Sequence, residues 1–192
     1  MRHLLAAGIA AFAVSAVSPV VSAKDLTGRV GVGYTTTLPG GGGGSLSAVS
    51  ARYWVNEQVG LEANFGLLQL SPKGGKSSNN YGFGLGGMYS FIDEPNLHVY
   101  GDAGLSFGSV GVTVPAGAGG GTTTDQKTAI GVTAGMGVEF FIVGLPNLGF
   151  ATQVGLSYVS VTDQGSSIAL GGADYASLGI RYYFGGPKGP PK

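Results

Sequence analysis

Apolar and polar positions alternate with a period of two along most of this chain. The last such stretch, residues 173–184, places Ala176, Leu178, Ile180, Tyr182 and Phe184 on one face and Ser177, Gly179, Arg181 and Tyr183 on the other. Successive side chains of a β-strand point to opposite sides, so each alternating segment reads as a strand with one apolar face. Turn residues divide the chain into eight such segments, at 27–38, 46–55, 59–70, 81–92, 97–110, 127–143, 148–161 and 174–184. The links between them alternate in length. Residues 56–58, 93–96 and 144–147 are short turns, whereas 39–45, 71–80, 111–126 and 162–173 are longer and rich in Gly, Ser, Thr or Lys.

Beyond residue 23 no apolar run reaches the length of a membrane helix, yet one face of these strands is too apolar for water. A closed barrel reconciles the two in lipid, because closure pairs every backbone N–H and C=O. The pattern therefore predicts an all-β fold, an eight-stranded antiparallel transmembrane β-barrel with three short turns at one end and four loops at the other. With Phe184 outward, the same parity turns Val30, Val32, Tyr34, Leu61, Phe65, Leu85, Leu105, Ile130, Met136 and Leu156 to lipid. Aromatic residues gather at the strand ends: Phe91, Phe140, Phe150 and Phe184 on the turn side, Tyr34, Tyr81, Phe107 and Tyr158 on the loop side. From Tyr81 to Phe91, steps of about 3.3 Å at a tilt of about 40° climb roughly 25 Å, the height of an apolar membrane band.

Parity sends Arg29, Arg52, Glu62, Asp102, Glu139 and Arg181 to the interior, with Asn64, His98, Thr133, Gln153 and Ser157. Charges in a narrow, poorly solvated lumen are costly unless paired, so equal numbers of each sign predict an ionic network that fills the barrel. Eight strands leave an interior only about wide enough for side chains, which favours a plugged core over an open pore.

Composition changes the picture in three ways. The 38 glycines could signal a flexible linker, but they are interleaved with Val, Leu, Tyr and Phe at strand spacing, which fits curved barrel walls. Residues 1–23 combine Arg2, an apolar run and Val21-Ser22-Ala23, the parts of a secretory signal peptide with cleavage expected after Ala23. Loss of that leader leaves nine basic against ten acidic residues and no basic stripe, which argues against nucleic acid as a partner. The lack of cysteine is compatible with export and does not require it.

Candidate chemistry is sparse. Gly82, Gly84 and Gly87 match a dinucleotide-binding spacing, but Phe83, Leu85 and Tyr89 continue the strand period where that motif needs a helix. The glycines are expected to line a crowded interior wall. Gly75-Lys76-Ser77 resembles the end of a phosphate-binding loop, yet Leu70 stands where its first glycine belongs. Lys73 and Lys76 are candidates for anionic headgroups at the outer surface. After leader removal His98 is the one histidine, just past a turn, with no serine and carboxylate expected to converge on it. Glu62, Asp102 and Glu139 read as structural rather than as acid–base catalysts. No spacing indicates a metal or a cofactor, and none is expected.

The signal peptide, the loop and turn alternation, the segment Trp54-Val-Asn-Glu-Gln-Val-Gly-Leu-Glu62 and the final apolar face resemble small outer-membrane barrels of the OmpA, OmpX and Ail kind over nearly all of 25–184. The resemblance implies a Gram-negative outer-membrane location and contact with outer-membrane lipid and lipopolysaccharide. It also implies dependence on periplasmic chaperones and the barrel-assembly machinery, with Leu178, Ile180, Tyr182 and Phe184 as the assembly signal. Such barrels commonly end at the aromatic residue, whereas here a Pro/Gly-rich tail follows at 185–192. The resulting organisation is a leader at 1–23, a barrel at 24–184 and the tail. The function expected is a non-enzymatic one, envelope structure with surface loop display. A surface adhesin or immune-evasion barrel, its extracellular ligand unknown, and a small porin-like channel are the alternatives. A soluble lipocalin-like barrel would have the inverse polarity.

Overall fold

The structure, a computed structural model, describes residues 24–38, 46–70, 78–115, 122–171 and 175–185. The expected leader, Lys73 and Lys76, the Gly75-Lys76-Ser77 segment and residues 186–192 of the tail lie outside them. The described residues form nine strands: β1 Val30–Thr35, β2 Ala48–Trp54, β3 Val59–Leu70, β4 Ser78–Glu94, β5 Leu97–Pro115, β6 Thr122–Phe141, β7 Leu148–Val161, β8 Gly165–Leu170 and β9 Ala176–Phe184. Each of β1 to β7 pairs antiparallel with the next. β9 pairs with β7 on one side and β1 on the other, so the sheet closes on itself. The closing seam runs from Val30↔Phe184 to Thr35↔Gly179.

The barrel has eight staves because β8 and β9 share one. β9 covers the turn-side half of β7, from Leu148↔Tyr182 to Val154↔Ala176. β8 covers the loop-side half, from Leu156↔Leu170 to Val161↔Gly165. Residues 162–173 were expected as a loop. Instead Asp163 (φ 61°) and Gly165 (φ 101°) adopt left-handed backbone that closes a tight hairpin onto β7. Period-two reading missed it because Gly165-Ser-Ser-Ile-Ala-Leu170 has too few bulky residues to show a face.

Other ends shift for local reasons. β1 is shorter than expected: Gly28 (φ 69°) makes a turn before it, and after Thr35 the chain folds inward to bury Leu38. β5 and β6 reach past the expected limits, with pairing continued to Pro115↔Thr122. A register shift between Ser90 and Ile92 on β4 marks a bulge that leaves Phe91 and Ile92 both outward.

The outward face is the apolar one. Val30, Val32, Tyr34, Leu61, Phe65, Leu85, Leu105, Ile130, Met136, Leu156 and Phe184 are all exposed, as are Leu178, Ile180 and Tyr182. Ring contacts reinforce the turn-side aromatic rim, with Phe140 and Phe150 stacked at 5.4 Å between centroids and Tyr182 and Phe184 tilted at 4.9 Å. Such an exterior suits lipid and not water. Gly82 and Gly84 face inward under Leu38, as a crowded wall requires, but Gly87 faces outward with open space where a Cβ would stand.

Interior tyrosines lie against residues that lack side chains. The Tyr175 ring occupies the break between β8 and β9, and a Cβ added to Gly135 or Gly155 would come within 2.2 or 2.0 Å of it. Tyr100 lies over Gly137 and Tyr183 over Gly31 in the same manner. At Gly155 a Cβ would also stand 2.4 Å from the Ala134 carbonyl oxygen, which no rotamer change relieves. Gly155→Ala is therefore expected to lower the unfolding free energy of the refolded barrel by about 1–3 kcal/mol, measured by urea titration.

Candidate functional site

Among the described residues the lumen is where polar chemistry concentrates, and it is arranged in layers. At the turn end Leu26, Trp54, Phe141 and Tyr183 form a buried apolar lid. His98 fits against it, its ring centroid 5.9 Å from both Trp54 and Phe141. The Lys24 ammonium sits 3.4 Å from the centre of the Phe141 ring. Burial, and then the nearby Arg29 charge, push that ammonium down to about 8.

Above the lid lies the ionic layer. Arg52 on β2 and Glu62 on β3 are direct cross-strand partners. The Arg52 guanidinium grips the Glu62 carboxylate through Nε, at 2.8 Å, and through Nη2. Its Nη1 reaches across the lumen to Glu139 Oε2 at 2.8 Å, and Nη2 also donates to the Tyr100 hydroxyl at 3.2 Å. Arg181 on β9 donates from Nη2 to Glu62 Oε1 at 3.0 Å and from Nε to Ser50 Oγ at 3.1 Å. Its Nη1 stands 4.0 Å from Glu139 Oε1. The Tyr183 hydroxyl is 2.9 and 2.8 Å from the two Glu139 carboxylate oxygens. Two cations and two anions thus bind staves from opposite sides of the barrel. Arg52, Glu139 and Arg181 are all at most 1% exposed.

Arg29 and Asp102 stand apart from this layer. Arg29, near the turn end, donates from Nη1 to Asn147 Oδ1 at 3.1 Å. Asp102 accepts a hydrogen bond from the Tyr175 hydroxyl and makes no ion pair with any described residue. Parity placed six charges inside but not their heights, and height separates these two from the other four. Tyr100, Tyr183 and Ser50 complete the layer unannounced by the charge pattern, although they share inward parity with His98, Arg181 and Arg52. Tyr175, just before β9, continues the inward parity of Ser177, Arg181 and Tyr183.

Toward the loops lies a small cavity, lined mainly by apolar atoms, with Glu62, Asn64, Asp102, Thr133 and Gln153 also on its walls. Beyond it, apolar clusters of Leu38, Leu46 and Ala48 and of Val110, Ala129 and Val159 are buried. The ionic layer is therefore enclosed by apolar layers on both sides.

At the turn end Ser90 and Asp93 do converge on His98, against the sequence-based expectation, because past the β4 bulge Asp93 is the direct cross-strand partner of His98. Asp93 Oδ1 accepts from Ser90 Oγ at 2.6 Å and lies 2.5 Å from His98 Nδ1. Serine and imidazole share one carboxylate oxygen, so the imidazole does not stand between hydroxyl and carboxylate as a general base must.

Removing one member of the ionic layer strands a buried charge. Arg52→Met is expected to cost about 3–5 kcal/mol of unfolding free energy, whereas Arg52→Met combined with Glu62→Leu recovers much of that loss. Urea titration of the refolded variants measures both.

No protein-family model matches the chain, and no curated protein matches it. Among solved structures it is similar to the N-terminal β-barrel domain of Pseudomonas aeruginosa OprF, with a TM-score of 0.51 and 17% identity over 82% of this chain and 98% of that one. It is also similar to Ail, the attachment invasion locus protein of Yersinia pestis, with a TM-score of 0.46 and 18% identity over 82% of this chain and 99% of that one. Together with the closed sheet and apolar exterior, the OprF likeness gives this chain the fold of the small eight-stranded membrane β-barrels.

Proposed function

We propose that this chain is a non-enzymatic barrel of the bacterial outer membrane that contributes to envelope structure, its lumen closed and its loop end displayed at the cell surface. The ionic layer carries the reading. Four charged side chains and two tyrosines fill the cross-section, and apolar layers enclose them, so the wall is braced from within instead of being held open around water. The outward belt would contact outer-membrane lipid and lipopolysaccharide. Leu178, Ile180, Tyr182 and Phe184 line the exposed face of the last strand, where the barrel-assembly machinery would read them.

Display at the surface is supported by the reach of β5 and β6, whose pairing continues from Phe107↔Ile130 to Pro115↔Thr122, above the aromatic girdle. The shared carboxylate at Ser90, Asp93 and His98 supports a non-enzymatic role. Verified folded protein in planar bilayers is expected to give no discrete current steps. Steady single-channel steps would overturn the closed lumen and make the chain a small porin.

A further inference from the structure

The short turns at one end of the barrel differ in chemistry. Residues 56–58 carry Glu57, and residues 93–96 carry Asp93 and Glu94. The turn from β6 to β7 carries no charge, and no Asp, Glu, Lys, Arg or His occurs from Phe140 to Thr162. Its apolar side chains point away from the protein. Val143 is 83% exposed, the highest value among the large apolar side chains of the described residues, and Ile142 and Leu145 are 45% and 51% exposed.

The backbone of this turn is largely satisfied from within. The Leu145 N–H donates to the Ile142 carbonyl at 3.0 Å, with Gly144 (φ 92°) in the left-handed region, and the Leu148 N–H donates to the Leu145 carbonyl at 3.0 Å. The Asn147 carbonyl accepts from the Tyr183 N–H at 2.7 Å, and Pro146 has no N–H to satisfy. Paired backbone of this kind leaves water at less cost than an open loop. The turn also adjoins surface that already faces lipid. Phe140 and Phe150 are direct partners at the base of the hairpin, and Leu148 pairs with Tyr182 of the last strand.

We propose that the β6–β7 turn is a membrane anchor, with Ile142, Val143 and Leu145 seated among the headgroups and upper acyl chains of the adjoining phospholipid leaflet. Continuity with the aromatic rim favours lipid over a protein partner as the occupant. Charge favours the same side: anionic lipid repels the turns bearing Glu57 and Glu94, both exposed, and does not repel a neutral one. The barrel is thereby drawn deeper on the β6–β7 side and tilted toward it. This anchoring depends on the exterior facing lipid and not on which leaflet adjoins the turn end.

The chain has no cysteine, so single labels can be placed by Val143→Cys, Glu57→Cys and, as an exposed reference in the middle of the belt, Ala103→Cys. Each variant is labelled with a polarity-sensitive fluorophore and refolded, and its fold is verified by heat modifiability on gels. It is then placed in nanodiscs of phosphatidylethanolamine and phosphatidylglycerol. The label at 143 is expected to emit to the blue of the label at 57, to be quenched by a shallow spin-labelled phospholipid and to lose sensitivity to iodide. The label at 57 is expected to behave in the opposite way. Iodide quenching at 143 equal to that at 57, with the label at 103 protected, overturns the anchor and leaves the patch to a protein partner or a second copy. Iodide quenching at 103 overturns the lipid-facing exterior itself.

Discussion

Everything inside this barrel depends on four charges that have given up water for each other. Arg52 cannot be buried without both Glu62 and Glu139, and Arg181 leans on the same two carboxylates from β9, on the far side of β1. In such surroundings the desolvation cost of each ion is several kcal/mol, and only multiple short contacts offset it. Ser50, Tyr100 and Tyr183 satisfy donors and acceptors that the ions alone leave over. The layer consequently constrains registers: moving one strand by a residue would turn an arginine or glutamate to the apolar exterior.

That constraint explains how much was legible in the chain. Parity is a two-valued signal, and it correctly separates outward Leu178, Ile180, Tyr182 and Phe184 from inward Arg181 and Tyr183 because lipid demands the distinction at every position. It fails at the β4 bulge, where Phe91 and Ile92 both face outward. Parity says nothing of height along the axis, which is why Arg29 and Asp102 could not be told from the four charges that meet. Nor does it detect segments whose residues are small, as in β8.

The same limits apply to glycine. Its abundance reads in composition as looseness, yet Gly31, Gly135, Gly137 and Gly155 each mark where a tyrosine ring occupies the room a side chain would have taken. In an eight-stranded barrel the interior is fixed by strand number and tilt. Large aromatic and guanidinium groups can be accommodated only if facing positions are vacated. Glycine in these strands is thus a volume choice coupled to a partner, and the two should change together or not at all.

The closing seam places a further demand on this arrangement. Val30 at the start of the barrel and Phe184 at its end are neighbours, and Arg181 belongs to that last strand. A nascent sheet lacking β9 would hold Glu62 and Glu139 opposite Arg52 alone, one cation short. Those carboxylates must then stay hydrated until the final strand docks. Wall closure and drying of the interior are in consequence one event, which waits for β9 to dock against β1.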